Sequence, residues 1–465
     1  MSHRDPRLKS VRLNSSCLKL ALNGMFREVV WSGVSFREDC TWTPRWLAAA
    51  ALVWAWADES TLVERWTSTR RLVTFLSAPV QPLAGSYQAF LKLLVRWTSV
   101  LILCLQAAWR EQMRRELSAH WSVAGYVMFG VDGSRCELPR TISHEQAFSP
   151  TRPQRTTTRK SKKSPPCGPH ARKANSPQVW LTTMWHVGTG LPWDWRLGPS
   201  ESSERAHLLE MLPHLPPEAL ITADAGFTGY ESWQAILDSG RQLLIRVGSN
   251  VRLLRKLGYV RESRGTVYLW PDRAAARQQP PLVLRLVEGH NGRHPVFVVT
   301  SVLSTQRLTE RNVLELYALR WGIELFYRHL KQTFQRRKLR STSAEPALVE
   351  LHWSLAGLWA MAFYALIQLQ QAGWELKRLS IAHMLRAFRR MVRDYRHPAE
   401  RGERLRDRLQ AALIDPYHRA NKNSRDYPRQ KQERPAGPPQ LVAASKTQIR
   451  QAQEIRRKLK KGLTA

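Results

Sequence analysis

Tyr317, Arg320, Glu324 and Lys331 stand in the stretch LELYALRWGIELFYRHLKQTF, at offsets of 3, 7 and 14 residues from the tyrosine. If the stretch is a single α-helix, 100° per residue puts the four side chains within a sector of roughly 60°, one above another. Leu316, Ile323, Leu325 and Leu330 give the helix apolar surface to bury, with the polar stripe left facing a cleft. A carboxylate flanked by two cations and a phenol suits a phosphodiester. Arg320 and Lys331 can hold phosphates and keep Glu324 ionised, which leaves that carboxylate free to ligate a hard metal ion. A solvated face of charge pairs has the same spacing, so the stripe alone does not decide.

Two aspartates narrow the choice. VMFGVDGSRCELPRT puts Asp132 at the end of an apolar, β-branched run, followed by Gly133 and a turn. ALITADAGFTGYESW leads through Leu220 and Ile221 to Asp224, then Gly226 and a helix start. Carboxylates at strand ends beside glycines are where sheet-based sites collect metal ligands. Either aspartate alone reads equally as a turn residue or a helix cap. With a glutamate on a later helix they form an ordered Asp–Asp–Glu set.

The elements that must position these residues follow from periodicity. Residues 1 to 120 read as a helical region: TPRWLAAAALVWAWADESTLVERW and SYQAFLKLLVRWTSVLILCLQAAWREQMRRE have helix-like apolar spacing and few breakers. The pattern then turns to strands over Val123–Asp132, Cys136–Thr141 and Val179–Val187, the last entering a hairpin with LPWDWRLG. A helix is expected from Ser202 to Pro213, capped by Ser202 or Ser203, then the Asp224 strand, a helix over Tyr230–Leu237 and the strand LLIRVGS. Residues 250–308 (VYLW, LVLRLVEG, PVFVVTSVL) read as a small β-meander inserted before the Glu324 helix. ALVELHWSLAGLWAMAFYALIQLQQ is apolar nearly all round and so belongs in a core. From 397 the chain is basic and proline-bearing, an electrostatic arm ending in a helix.

Charge bounds the partner. Lys and Arg number 72 against 37 Asp and Glu, a formal +35, which calls for a polyanion such as nucleic acid. Residues 151–175 carry eight Lys or Arg and no acid, and are expected to be loosely extended and to touch phosphates non-specifically. Leu47–Trp56 and Leu355–Ile367 are too short to span a bilayer, and MSHRDPRLKS has no apolar signal core, so no membrane partner is expected. Cys17, Cys40, Cys104, Cys136 and Cys167 form no C-x-x-C pair, which fits a reducing cytoplasm without a zinc site or disulfide framework. Most of the 19 tryptophans are expected in the core, with some available to stack on bases.

The motifs VDGS around Asp132, TADAGF around Asp224 and YALRWGIELFYRHLK around Glu324 resemble the DDE transposases of bacterial insertion sequences, the group with the Y-R-E-K signature (the IS-four family). The resemblance covers roughly residues 120 to 375. It implies an α/β, ribonuclease-H-like mixed sheet at 121–375, with the β-rich insertion at 250–308, the helical 1–120 binding terminal repeats, and a basic helical region at 376–465. It also implies cut-and-paste transposition, in which Asp132, Asp224 and Glu324 hold two Mg2+ ions (Mn2+ substituting) and act on phosphodiesters. Arg320, Lys331 and Tyr317 would contact phosphates, and Trp270 in the insertion would receive a flipped base. Trp321 reads as a core wedge that sets the helix. The implied partners are double-stranded DNA, both inverted repeats and target, and a second copy of the chain in the bacterial, nucleoid-associated cytoplasm. A silent DNA-binding descendant, a nuclease that cuts without joining, and Tyr317 as a covalent nucleophile are the alternatives.

The charge makes a first prediction. Affinity for any duplex should fall steeply with salt, and deleting 151–175 should flatten the dependence by roughly 0.9 in slope for each phosphate left without a cation. Fluorescence anisotropy across a salt series measures it. A salt-insensitive affinity would assign the basic segments to another partner.

Overall fold

Thr43 and Ser86 each accept a hydrogen bond from the backbone N–H three residues on, Trp46 and Ala89, both at 3.2 Å. These N-caps open two of four N-terminal helices: α1 (Leu18–Met25), α2 (Pro44–Trp56), α3 (Leu62–Ser77) and α4 (Tyr87–Glu116). The computed structural model describes residues 18–77, 85–149, 176–290, 294–371, 373–376, 379–394 and 437–462. The basic stretch 151–175, MSHRDPRLKS, Cys17, Cys167 and RDYPRQKQER of the basic arm lie outside the described residues.

The strands follow in the expected order: β1 (Val127–Glu137), β2 (Gln178–His186), β3 (Leu191–Gly198), β4 (Ala219–Ala223) and β5 (Gln242–Val247). α5 (Ile142–Phe148), α6 (Glu204–Met211) and α7 (Tyr230–Asp238) lie between them. β2 runs antiparallel to β1 and β3, whereas β4 is parallel to both β1 and β5. The order β3-β2-β1-β4-β5 with that one reversed strand is the ribonuclease-H-like sheet. One boundary differs from expectation. The strand read at Cys136–Thr141 is the end of β1, and Thr141 instead caps α5 by accepting from the His144 N–H at 3.3 Å.

The insertion contributes β6 (Arg252–Arg255), β7 (Thr266–Leu269), α8 (Asp272–Ala276), β8 (Leu282–His290) and β9 (Pro295–Thr300). It is a meander, but it does not stand apart: β9 pairs antiparallel with β5 from Leu244↔Thr300 to Val247↔Phe297, continuing the central sheet. After α9 (Glu310–Leu319), α10 (Gly322–Arg328), α11 (Ala344–Gln371) and α12 (Ile381–Asp394), the chain returns to that sheet. β10 (Gln440–Ala443) pairs parallel with β6, and α13 (Lys446–Gly462) buries Ala452 and Ile455. The segment read as an electrostatic arm thus supplies the tenth strand of one sheet before its expected helix. The pairing gives the exposed β6 edge a partner for its backbone groups.

The N-terminal helices share the core of the strands rather than forming a separate one. α11, buried along nearly its whole length, lies against α2 and α4. Indole N–H groups pin the contact: Trp56 donates to the Gly357 carbonyl at 2.9 Å and Trp353 to Thr98 Oγ1 at 2.8 Å. α4 is long and apolar enough to cross a membrane by length and composition, and here Leu94, Leu101, Leu105 and Trp109 are buried in this core.

A buried ion pair links the helical region to the segment after α10. Arg336, 1% exposed, donates to Ser354 Oγ and to the carbonyls of Phe334 and Ala55, and lies 3.9 Å from Glu350. Glu350 also accepts from the N–H groups of Arg340 and Ser341 at 2.9 and 3.0 Å. Removing one member of such a pair leaves the other charge buried alone. Arg336→Met should therefore destabilise the fold by roughly 3–5 kcal/mol. Adding Glu350→Gln to it should recover part of the loss. Urea unfolding of both variants measures this, and an unchanged midpoint for Arg336→Met would show that the pair does not hold the two regions together.

Candidate active site

Asp132 sits where the parallel ladder between β1 and β4 has ended. That ladder runs from Val127↔Ala219 to Gly130↔Thr222, while β1 continues against β2 with Asp132 opposite Thr183. Beyond Gly130 one side of β1 is therefore open, and a side chain there faces a crevice. Asp132 Oδ1 accepts from the Gly133 N–H at 2.8 Å. Asp224 follows the last residue of β4 and caps a short 3-10 turn, its Oδ1 accepting from the Gly226 N–H at 2.8 Å.

The Glu324 segment is not one regular helix. α9 stops at Leu319, and Arg320, Trp321, Ile323 and Glu324 donate to carbonyls three residues back, a tighter turn, before α10 begins. A π-helical turn follows over His329–Thr333, with Phe334 N–H donating to the His329 carbonyl five residues back. Two contacts fix α10. Gly322 lies on the ring of Trp185 from β2, so closely that a methyl group there would overlap it. The Tyr327 hydroxyl donates to the Asp132 backbone carbonyl at 2.7 Å.

The carboxylates and Arg320 meet as a result. Arg320 donates to Glu324 Oε1 at 3.1 Å, lies 3.9 Å from Asp132 Oδ2, and sits with its guanidinium carbon 5.7 Å from the Tyr317 ring centre. Burial, with Asp224 and Glu324 adding like charge, pushes the Asp132 carboxyl up to about 6 despite the opposing pull of Arg320. Arg320 is itself held above its ordinary value: burial lowers it, but Tyr317, Asp132 and Glu324 together outweigh that. The Tyr317 hydroxyl is raised, chiefly by burial.

Three expectations change. Lys331 falls within the π turn and lines a cavity of about 790 Å³ with Thr61, Arg337 and Arg340, away from the regular stripe. The change of helical geometry rotates it out of the sector that a uniform α-helix would give. Trp321 is 60% exposed, and the wedge that orients the helix is Trp185. Trp270 is 3% exposed, its indole N–H donating to the Gln279 carbonyl at 2.9 Å, and it is packed in the insertion along a cavity of about 370 Å³.

Sequence reasoning missed Glu204. It opens α6 behind the cap Ser203, which accepts from the Ala206 N–H at 3.3 Å, and its carboxylate lies against Gly133 so closely that a methyl group there would overlap it. Burial and then the charges of Asp132 and Asp224 push Glu204 up to about 7. A glutamate directly after a Ser-Ser pair looks like ordinary first-turn acid, so only the glycine after Asp132 hinted at a close neighbour.

The donor set is all carboxylate oxygen, which suits Mg2+ or Mn2+, and Gly133 leaves room for an acid where a Cβ would stand. Among the described residues no three such side chains already stand at ligating distance of one point. Arg320 lies between Asp132 and Glu324.

Residues 129–359 match the family model of the transposase DDE domain. Transposase InsG for insertion sequence element IS4 of Escherichia coli (strain K12) is 24% identical over 330 residues, covering 68% of this chain and 69% of that protein. The piggyBac transposase synaptic complex with hairpin DNA, a cryo-EM structure, aligns with a TM-score of 0.40 at 12% identity, over 89% of this chain and 88% of that one.

The raised Asp132 makes a pH prediction. The folded chain keeps this proton up to about 6 whereas the unfolded chain loses it near the ordinary 3.8, so the contribution to stability is full at low pH and is lost as pH rises through that window. With metal chelated, Asp132→Asn should be more stable than wild type by about 3 kcal/mol at pH 8 and no more stable at pH 3.5. Urea unfolding at the two pH values checks it, and an equal gain at both would remove the electrostatic account.

Proposed function

From the premise that this chain belongs to the DDE transposase family, we propose that it excises its own element and joins the ends to target DNA by metal-dependent phosphodiester chemistry. The observation that carries the reading is Arg320 spanning Asp132 and Glu324 inside the matched domain, with Asp224 near enough for its charge to raise Asp132.

Asp132, Asp224 and Glu324 would hold the metal. Two Mg2+ ions, when bound, supply charge neutralisation and a polarised attacking oxygen for in-line displacement. Arg320 does the remaining positioning. It now spans two carboxylates, and its planar fork can exchange them for the scissile phosphate, a bidentate geometry that lysine cannot copy. Tyr317, beside it, can donate its hydroxyl to a phosphate oxygen, since burial keeps that hydroxyl protonated. Lys331, Arg337 and Arg340 line a basic cavity that would take duplex backbone. The N-terminal helices, locked onto α11, would carry end recognition into the same rigid body. A second copy of the chain would complete the end complex.

Asp132→Asn, Asp224→Asn and Glu324→Gln should each lower Mg2+-dependent cleavage of the element's terminal repeats by at least about 10³-fold, several kcal/mol of transition-state stabilisation, with DNA affinity nearly unchanged. A gel assay of nicked and joined products on labelled ends decides it. Any one variant cutting at the wild-type rate would remove that residue from the site, and cutting without joining would reduce the protein to a nuclease. Short inverted repeats bracketing the gene, with a direct duplication outside them, would identify the substrate.

A further inference from the structure

We propose that Glu204 is a fourth metal-binding carboxylate of the acid site, acting with Asp132 and Asp224. The inference rests on the transposase reading and adds a residue that the Asp–Asp–Glu signature does not contain.

The placement is specific. The Glu204 carboxylate reaches over the backbone at Gly133, the residue after Asp132, and its other oxygen points toward Gly226, two residues after Asp224, lying 3.8 Å from where a Cβ on that glycine would stand. Both glycines are already tied to the aspartates, Gly133 N–H to Asp132 and Gly226 N–H to Asp224, each at 2.8 Å. A carboxylate set between the two glycines is thus in the field of both acids. The nearby cations are turned elsewhere. Arg135 stacks over the Trp180 ring at 4.4 Å, and Arg205 donates to the Thr228 carbonyl at 2.9 Å. Among the described residues no hydrogen bond or ion pair is made by the Glu204 carboxylate itself. Asp132, Asp224 and Glu204 lie within each other's fields with Arg320, 3.9 Å from Asp132 and shared with Glu324, as their paired counter-charge, so the three acids still repel one another and a hard cation among them would relieve it.

α6 makes the geometry deliberate. The Ser203 cap fixes the start of the helix at Glu204, and His207, one turn on, bonds its Nδ1 to Thr182 Oγ1 at 2.8 Å. Because Thr182 is paired with Gly133 across β1 and β2, the same contact sets the height of Glu204 against Gly133. Gly133 then acts as the aperture: any side chain there would push Glu204 away while leaving every acid in the chain.

The test is Mn2+ binding to the full chain without DNA, by calorimetry and by loss of the free-ion electron-spin signal. Glu204→Gln should weaken Mn2+ binding by at least about tenfold, the loss that even an outer partner of a ligand causes. Gly133→Ala should do the same with all carboxylates present, and Glu204→Asp should recover part of the affinity. Glu210→Gln, on the same helix but paired with Arg196, should bind as wild type. Matching thermal unfolding curves show that each variant is folded, and should Glu204→Gln fail to fold, Gly133→Ala and Glu204→Asp decide. Wild-type affinity in Glu204→Gln, with binding abolished in Asp132→Asn and Asp224→Asn, would overturn this assignment alone. Wild-type affinity in the two aspartate variants would instead overturn the acid-site reading on which it rests.

Discussion

Carboxylates brought together on neighbouring parallel strands repel one another, and the arrangement around Asp132 and Asp224 follows from that constraint. Repulsion between buried acids is strong because water is not there to screen it. The chain answers with backbone N–H groups on the inner oxygens, from Gly133 and Gly226, and with one guanidinium, Arg320, shared between Asp132 and Glu324. The offset is incomplete, since Asp132 still holds its proton to about 6. A site left short of positive charge favours a cation.

Holding such a site together needs a stiff frame. α10 cannot drift from β1, because Trp185 fills the space under Gly322 and Tyr327 ties back to the Asp132 carbonyl. Behind it, Arg336 and Glu350 couple the loop after the π turn to the end of α2 and to α11. Tryptophan N–H groups then pin α11 to the N-terminal helices. The helical region is therefore joined to the acids through packed side chains rather than through a linker. The helical region and the sheet share one core, which is why the boundary read near residue 120 marks a change of secondary structure more than a change of body.

Much of this is legible in the sequence where local chemistry and periodicity agree. The strand order around Asp132 and Asp224 is readable because β-branched runs ending in Asp-Gly and Asp-Ala-Gly have few other conformations. The nearness of Tyr317, Arg320 and Glu324 is readable because their spacing spans only two turns, too short for helix irregularity to separate them. Lys331 departs from the sector that the spacing gives because the seven further residues include a π turn, which periodicity does not reveal. Trp321 and Trp185 exchange roles because a tryptophan's burial depends on its neighbours across the sheet, which spacing does not contain. Glu204 is invisible for the same reason, since its partner is a glycine on another strand.

The parallel pairing of β10 with β6 has a consequence for how the protein is made. β6 emerges from the ribosome long before Gln440–Ala443, so the sheet keeps an open flank throughout synthesis of everything between them. A chain interrupted after α12 and before β10 carries Asp132, Asp224 and Glu324 beside an unfinished edge, the kind of surface that self-associates. The last strand is thereby the piece that closes the flank of the sheet, and it arrives only when the chain has been read through to β10.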